Sequence, residues 1–175
     1  MSRVMKLKKS TFLIVPALAM GLFALTGCSA LSSIMGGNSA PVRDAESGDI
    51  VEENENTDVF SIRVGDCLNT DETLSEETTS VPVVPCSEPH ADEVYYSFLI
   101  DEPSFPGNDE VIRMADEGCL AEFESFIGTP WADSEIDYWP MYPTEGSWKN
   151  GDREVLCMVW DPTGDTVGTL KDSRR

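Results

Sequence analysis

The chain has 175 residues, with 32 acidic against 12 basic side chains, a single histidine and a formal net charge of -20 at pH 7. Four of the basic residues (Arg3, Lys6, Lys8, Lys9) stand at the start, where no acid occurs, so the remainder carries 8 basic against 32 acidic residues, formally -24. Such a balance repels nucleic acid and anionic membrane surfaces and excludes nucleic-acid binding, while the length leaves room for one domain of roughly 110 residues after a non-globular N-terminal part.

In chain order the first element is a leader over residues 1–27. The basic start is followed by an apolar run from Thr11 to Leu25, broken by Pro16 and Gly21, too short for a membrane span and flanked like a signal peptide. It ends in Leu25-Thr26-Gly27-Cys28. This resembles the lipobox of bacterial lipoproteins, which implies cleavage before Cys28, lipid on its thiol (diacylglycerol and, with it, palmitate), and a location on the extracytoplasmic face of the cell membrane. No arginine pair precedes the apolar run, which favours the general secretory route. At about 0.8 kcal/mol per buried methylene, two acyl chains make a durable anchor.

Residues 28–58 read as a flexible acidic tether. They are rich in Ser, Gly, Asn, Asp and Glu and hold too few apolar side chains to offset their ordering entropy. A coil of that length reaches about 30 Å, which would keep an acidic domain clear of an acidic bilayer. The acidic run at 51–58 lacks the glycine and terminal glutamate of a calcium-binding loop.

The domain itself is expected over 59–171, with a short tail at 172–175. Strands are expected at Val59–Val64, Val81–Val84 and Glu93–Ile100, rich in branched and aromatic residues. A helix follows from Asn108, its expected N-cap, to Ile127, with Ile112, Ala115, Cys119, Phe123 and Phe126 as the apolar stripe and Gly128 as the stop. Two further strands, Tyr138–Tyr142 and Arg153–Trp160, bracket Trp148 and the turn signal Asn150-Gly151, and Val167–Leu170 reads as a short last strand.

Cys67, Cys86, Cys119 and Cys157 are an even set in an exported chain and point to two disulfides. Spacing leaves three pairings open. The expected one joins Cys67 to Cys86, closing a local loop, and Cys119 to Cys157, pinning the helix to a strand, at about 3 to 4 kcal/mol each. There is no Cys-x-x-Cys, so neither a zinc site nor a thioredoxin-type redox pair is expected. The fold class is therefore α+β: a small twisted antiparallel sheet with one long helix packed on it, stapled by two disulfides.

The sequence also carries Gly65-Asp66-Cys67, Val83-Val84-Pro85-Cys86, Pro89-His90, Glu93, Cys119, Pro143-Thr144, Trp148, Gly151-Asp152-Arg153, Val155 to Cys157 and Gly168. In their order and cysteine placement these resemble the septum formation domain family, over about residues 60 to 171. That family occurs mostly in actinobacterial lipoproteins and membrane-tethered ectodomains. The resemblance implies a role in cell-division septum formation and supplies no catalytic residues.

Two readings of function stand side by side. Asp66, Glu88, His90, Asp92 and Glu93 bring acids near the one imidazole, raw material for acid–base chemistry or metal binding. The plainer expectation has His90 hydrogen-bonded to backbone near the Cys86 disulfide, with no nucleophile, no cofactor and no catalysis. Gly151-Asp152-Arg153 reads as turn chemistry, Gly151 taking positive φ and Arg153 free to pair with a carboxylate. The second feature is a surface: Val155, Cys157 and Val159 make one strand face apolar and Leu156, Met158 and Trp160 the other, and Tyr95 and Leu99 repeat the pattern on a neighbouring strand. One helix covers one face, so either the loop from Thr129 to Pro140 covers the second or a Met, Trp and Tyr patch awaits an envelope protein partner. Candidate contact residues are thus His90, Glu93, Asp66, Asp152, Arg153, Trp148, Met158 and Trp160. Oligomeric state leaves no trace in this pattern.

Overall fold

The computed structural model describes residues 39–70 and 78–175. The expected leader, Cys28 and the first part of the tether lie outside these residues. Among the described residues, β1 (Asn54–Asp58), β2 (Cys67–Leu68), β3 (Ser80–Val84), β4 (Asp92–Leu99), β5 (Asp137–Met141) and β6 (Glu154–Trp160) form one sheet in the order β1-β3-β2-β4-β6-β5. Every neighbouring pair is antiparallel. A long helix, α1 (Asn108–Ile127), packs on β4, β5 and β6, and a single turn of helix, α2 (Glu145–Trp148), leads into β6. No helix among the described residues is long and apolar enough to cross a membrane.

The α1 face is built as an i, i+4 ridge. Val111, Ala115, Cys119, Phe123 and Ile127 are buried, whereas Ile112 is exposed and Phe126 only half-buried. The apolar stripe is thus rotated from the expected one, because a strict four-residue step, and not the mixed three-and-four step, meets the sheet. At about 1.5 to 3 kcal/mol for each large side chain removed from water, this ridge against Tyr95, Val155, Cys157 and Val159 is a main source of stability. The helix starts one residue earlier than expected: Gly107, at φ 102°, is the cap and offers no side-chain acceptor, while Asp109 and Glu110 still face the positive end of the dipole. Gly128 ends it in the left-handed conformation, its N–H donating to the Glu124 carbonyl at 2.8 Å.

Both disulfides join as expected, Cys67 to Cys86 and Cys119 to Cys157, with Cα separations of 5.2 and 5.4 Å. The second runs from the middle of α1 into β6, through the centre of the helix-side core.

A β-bulge at Tyr95 gives β4 its two-sided character. Val94 lies opposite Met158 and Tyr96 opposite Cys157, with Tyr95 inserted between. Tyr95 turns to the helix side, and its hydroxyl donates to the Cys119 carbonyl at 2.5 Å.

The second face is a core in its own right. Leu68, Val81, Val83, Val94, Leu156 and Met158 are buried together with Ile50 and Ile62 from the N-terminal segment. Residues 39–62 are therefore the cover, and the loop before β5 is not: Trp131 packs edge-on against Tyr138, which belongs to the helix side. This corrects the tether boundary. β1 pairs with β3, Thr57 is fully buried opposite Val81, and Ser39 bridges to Thr57. Folded structure thus begins at least 20 residues before the expected domain start.

Two further expectations fail for local reasons. Val59–Val64 is not a strand; a 3-10 turn at Val59–Ser61 takes its place, capped by the Asp58 side chain accepting from the Phe60 N–H at 2.9 Å. Val167–Leu170 is not a strand either. It belongs to a C-terminal segment bound at separate points: His90 and Thr166 exchange backbone hydrogen bonds, and the Gly168 N–H donates to the Cys86 carbonyl.

Candidate functional site

Two of the residues first singled out as chemistry, Asp66 and Glu93, hold the N-terminal and C-terminal segments of the domain in place. Asp66, nearly fully buried, takes a two-pronged hydrogen bond from Arg43 and a third from the Arg63 N–H, so it clamps the N-terminal segment. Glu93 accepts from the Thr169 hydroxyl at 2.5 Å and the Leu170 N–H at 2.7 Å, clamping the C-terminal segment. Asp161 receives Arg175 in the same way. Asp92 accepts from the Thr70 hydroxyl and, at 2.7 Å, from the Trp139 indole N–H. Burial pushes the Asp92 carboxyl above the usual range, more than these two hydrogen bonds pull it down. Glu88 is exposed and contributes its carbonyl instead.

His90 is hydrogen-bonded to backbone, as the plainer expectation had it. It is fully buried, and its Nδ1 lies 2.9 Å from the Glu88 carbonyl, which can only accept, so Nδ1 carries the proton and donates. Nε2 is buried and has no hydrogen-bond partner among the described residues. Asp66 and Glu93 are thus drawn to opposite chain ends and do not converge on the imidazole. Among the described residues no three His, Cys, Asp or Glu side chains gather at metal-binding distance.

The remaining candidates divide. Trp148 is buried edge-on against Phe105, with the Arg153 guanidinium 3.7 Å above its ring. Arg153 also donates to the Trp148 carbonyl, so it pairs with an indole and a carbonyl where a carboxylate was expected. Gly151 takes φ 96°, as a turn there requires. Met158 is fully buried and is core, not contact surface. Trp160, at the end of β6, stays 37% exposed, and Asp152 is half-buried on the surface.

Among the described residues, the second face leaves open a groove at its β5–β6 end, of about 300 Å³. Trp139 and Met141 lie opposite Met158 and Leu156 on the same face, and Trp139, Met141 and Leu156 line the groove. Val59 and Phe60 of the N-terminal segment form the facing wall, and Phe60 is 68% exposed. The Trp139 indole is held by Asp92. At the rim Thr144 and Ser147 close a reciprocal capping box on α2, and Asp152 and Glu154 supply negative charge. Sequence reasoning missed Phe60, Trp139 and Met141. Period-two alternation within β5 would have put Trp139 and Met141 on one face; nothing local marked Phe60.

Comparison with known proteins adds one match. A family profile described as septum formation matches residues 64–174. Neither a curated relative nor a solved structure matches the chain.

Proposed function

This chain belongs to the septum formation family, and from that premise we propose that it is a non-catalytic interaction module of the bacterial cell envelope. In this reading it is lipid-anchored through Cys28 on the extracytoplasmic face of the membrane and engages a protein partner at the division septum through the groove between Phe60 and Trp139.

The observation that carries the reading is the groove itself. It is concave and apolar, and it lies on an otherwise covered sheet face, as a partner site requires. The engagement of Asp66, Glu93, Asp92 and Asp161 in structural pairs supports the absence of an acid–base centre. The lipobox sequence and the strongly acidic composition support a tethered, extracytoplasmic setting.

The test is immunolocalisation of the tagged full chain in dividing cells. Wild-type protein should concentrate at the division site, Phe60→Glu should spread over the membrane while keeping a protease-resistant domain, and Cys28→Ala should leave the membrane fraction. Uniform distribution of the wild type through the division cycle would overturn the septal role.

A further inference from the structure

We infer that the groove accepts a short cationic segment of its partner, one bulky apolar side chain seated among Phe60, Trp139 and Met141 and a neighbouring lysine or arginine held by Asp152 and Glu154. This rests on the interaction-module reading and specifies the partner's chemistry.

Size comes first. At about 300 Å³ the groove sits at the small end of ligand clefts, so it takes one or two side chains and not a whole domain surface. Its walls include the aromatic rings of Phe60 and Trp139 and the thioether of Met141, and Phe60 is 68% exposed, a large apolar area left in water. Trp139 is fixed through Asp92 and α2 through its capping box, so this part of the groove is ordered before a partner arrives.

Charge then selects among occupants. Among the described residues, Asp152 and Glu154 are the charged residues of the lining, and no lysine or arginine joins them. The adjacent Arg153 is turned away onto the Trp148 ring and carbonyl. A second copy of this chain, formally -20, is repelled, as are anionic lipid and nucleic acid. A basic segment gains both steering and a rim contact.

Backbone chemistry sets the mode of binding. β5 is an edge of the sheet, and Pro140 stands within it, next to its last residue, among the lining residues. Proline has no N–H to offer an added strand, so recognition runs through side chains and not through strand addition.

The experiment is fluorescence anisotropy with the full chain in nanodiscs of zwitterionic lipid, empty nanodiscs as the blank. Three short labelled peptides serve as probes: one alternating leucine with arginine, one leucine with glutamate, one serine with arginine. The inference expects binding of the leucine–arginine peptide alone, about tenfold weaker with Phe60→Ala. Glu154→Gln should reduce the affinity lost between about 20 and about 150 mM salt. Equal binding of the serine–arginine peptide, or indifference to Phe60→Ala, overturns the groove as the site. Equal binding of the leucine–glutamate peptide, or no binding by any, overturns the cationic partner. The interaction module has its own readout: if Phe60 crosslinks in cells to one partner through a segment without basic residues, that module stands and the cationic inference falls.

Discussion

Arg43 and Asp66, 23 residues apart, meet in a two-pronged ion pair, Nη1 to Oδ1 at 2.6 Å and Nη2 to Oδ2 at 2.7 Å, that fastens the N-terminal segment over the second core. The arginine also donates to the Ser61 carbonyl, and the carboxylate is almost wholly removed from water. Removing one partner strands the other charge. Arg43→Ala should therefore cost about 3 kcal/mol in urea unfolding. Arg43→Ala with Asp66→Asn together should cost clearly less than the two single losses added. Equal stability of Arg43→Ala and wild type would mean that the segment is not held there.

The two disulfides differ in exposure. Cys119 and Cys157 are fully buried, whereas Cys86 is half-buried. Mild reductant under native conditions should open Cys67–Cys86 first and leave Cys119–Cys157 until the domain unfolds, as mass spectrometry after thiol labelling would read. By chain entropy the loops of 19 and 38 residues are worth about 3 and about 4 kcal/mol. Cys119→Ala with Cys157→Ala should accordingly be the more damaging pair.

Asp92 and Asp161 make opposite contributions to stability as pH changes. Asp92 has its folded pKa raised by burial, against the pull of Thr70 and Trp139, so the unfolded chain gives up the proton first. Its contribution is complete below the unfolded value, about 3.9, and is lost as pH rises through the higher folded value. For Asp161 burial also pushes upward, but the Thr163 hydroxyl and N–H and the Arg175 guanidinium outweigh it and hold the folded pKa low. That contribution is present above the unfolded value and lost as pH falls through the folded one. Relative to wild type, Asp92→Asn should therefore gain stability as pH rises from about 4 to about 7, and Asp161→Asn should lose least at the acid end. Urea midpoints from about pH 2 to about pH 7 would show the two slopes, that of Asp161 below about pH 4 and that of Asp92 above it; parallel curves would contradict both assignments.

Gly118 lies on α1 over the ring of Phe98, into which an added Cβ would collide. Alanine there gains about 1 kcal/mol of helix propensity but costs about 1 to 3 kcal/mol of overpacking. Gly118→Ala should come out slightly destabilising by thermal unfolding, and Gly118→Ala with Phe98→Leu should recover the loss. A stabilised single variant would show that the ring moves aside freely.

The sequence was most legible where side chains carry periodicity into a core. The helix from Asn108 to Ile127 and the strands at 81–84, 93–99 and 154–160 follow from apolar spacing, whereas spacing left three cysteine pairings open and the structure selects the expected one. β1 escaped because it is a polar edge strand: Thr57 is its one fully buried residue, and ladder hydrogen bonds to β3, not apolar burial, hold it. Composition rules for disorder count side chains and miss such a strand. The acids around His90 misled for a related reason. Side-chain types near one another in sequence suggested a shared centre, whereas Asp66 answers to Arg43 and Glu93 to Leu170, 77 positions onward. The groove needed both: Trp139 and Met141 were readable from alternation in β5, but the wall they face comes from Phe60, in a segment expected as a strand and found as a 3-10 turn.

The central claim is that this groove is where the domain meets its partner, and site-specific photocrosslinking in living cells tests it most directly. A photoreactive residue at position 60 should capture one discrete protein that is present only in dividing cells, and the same residue at Leu120, on the outer face of α1, should not. Identical products from both positions, or capture in proportion to general envelope abundance, would contradict the account.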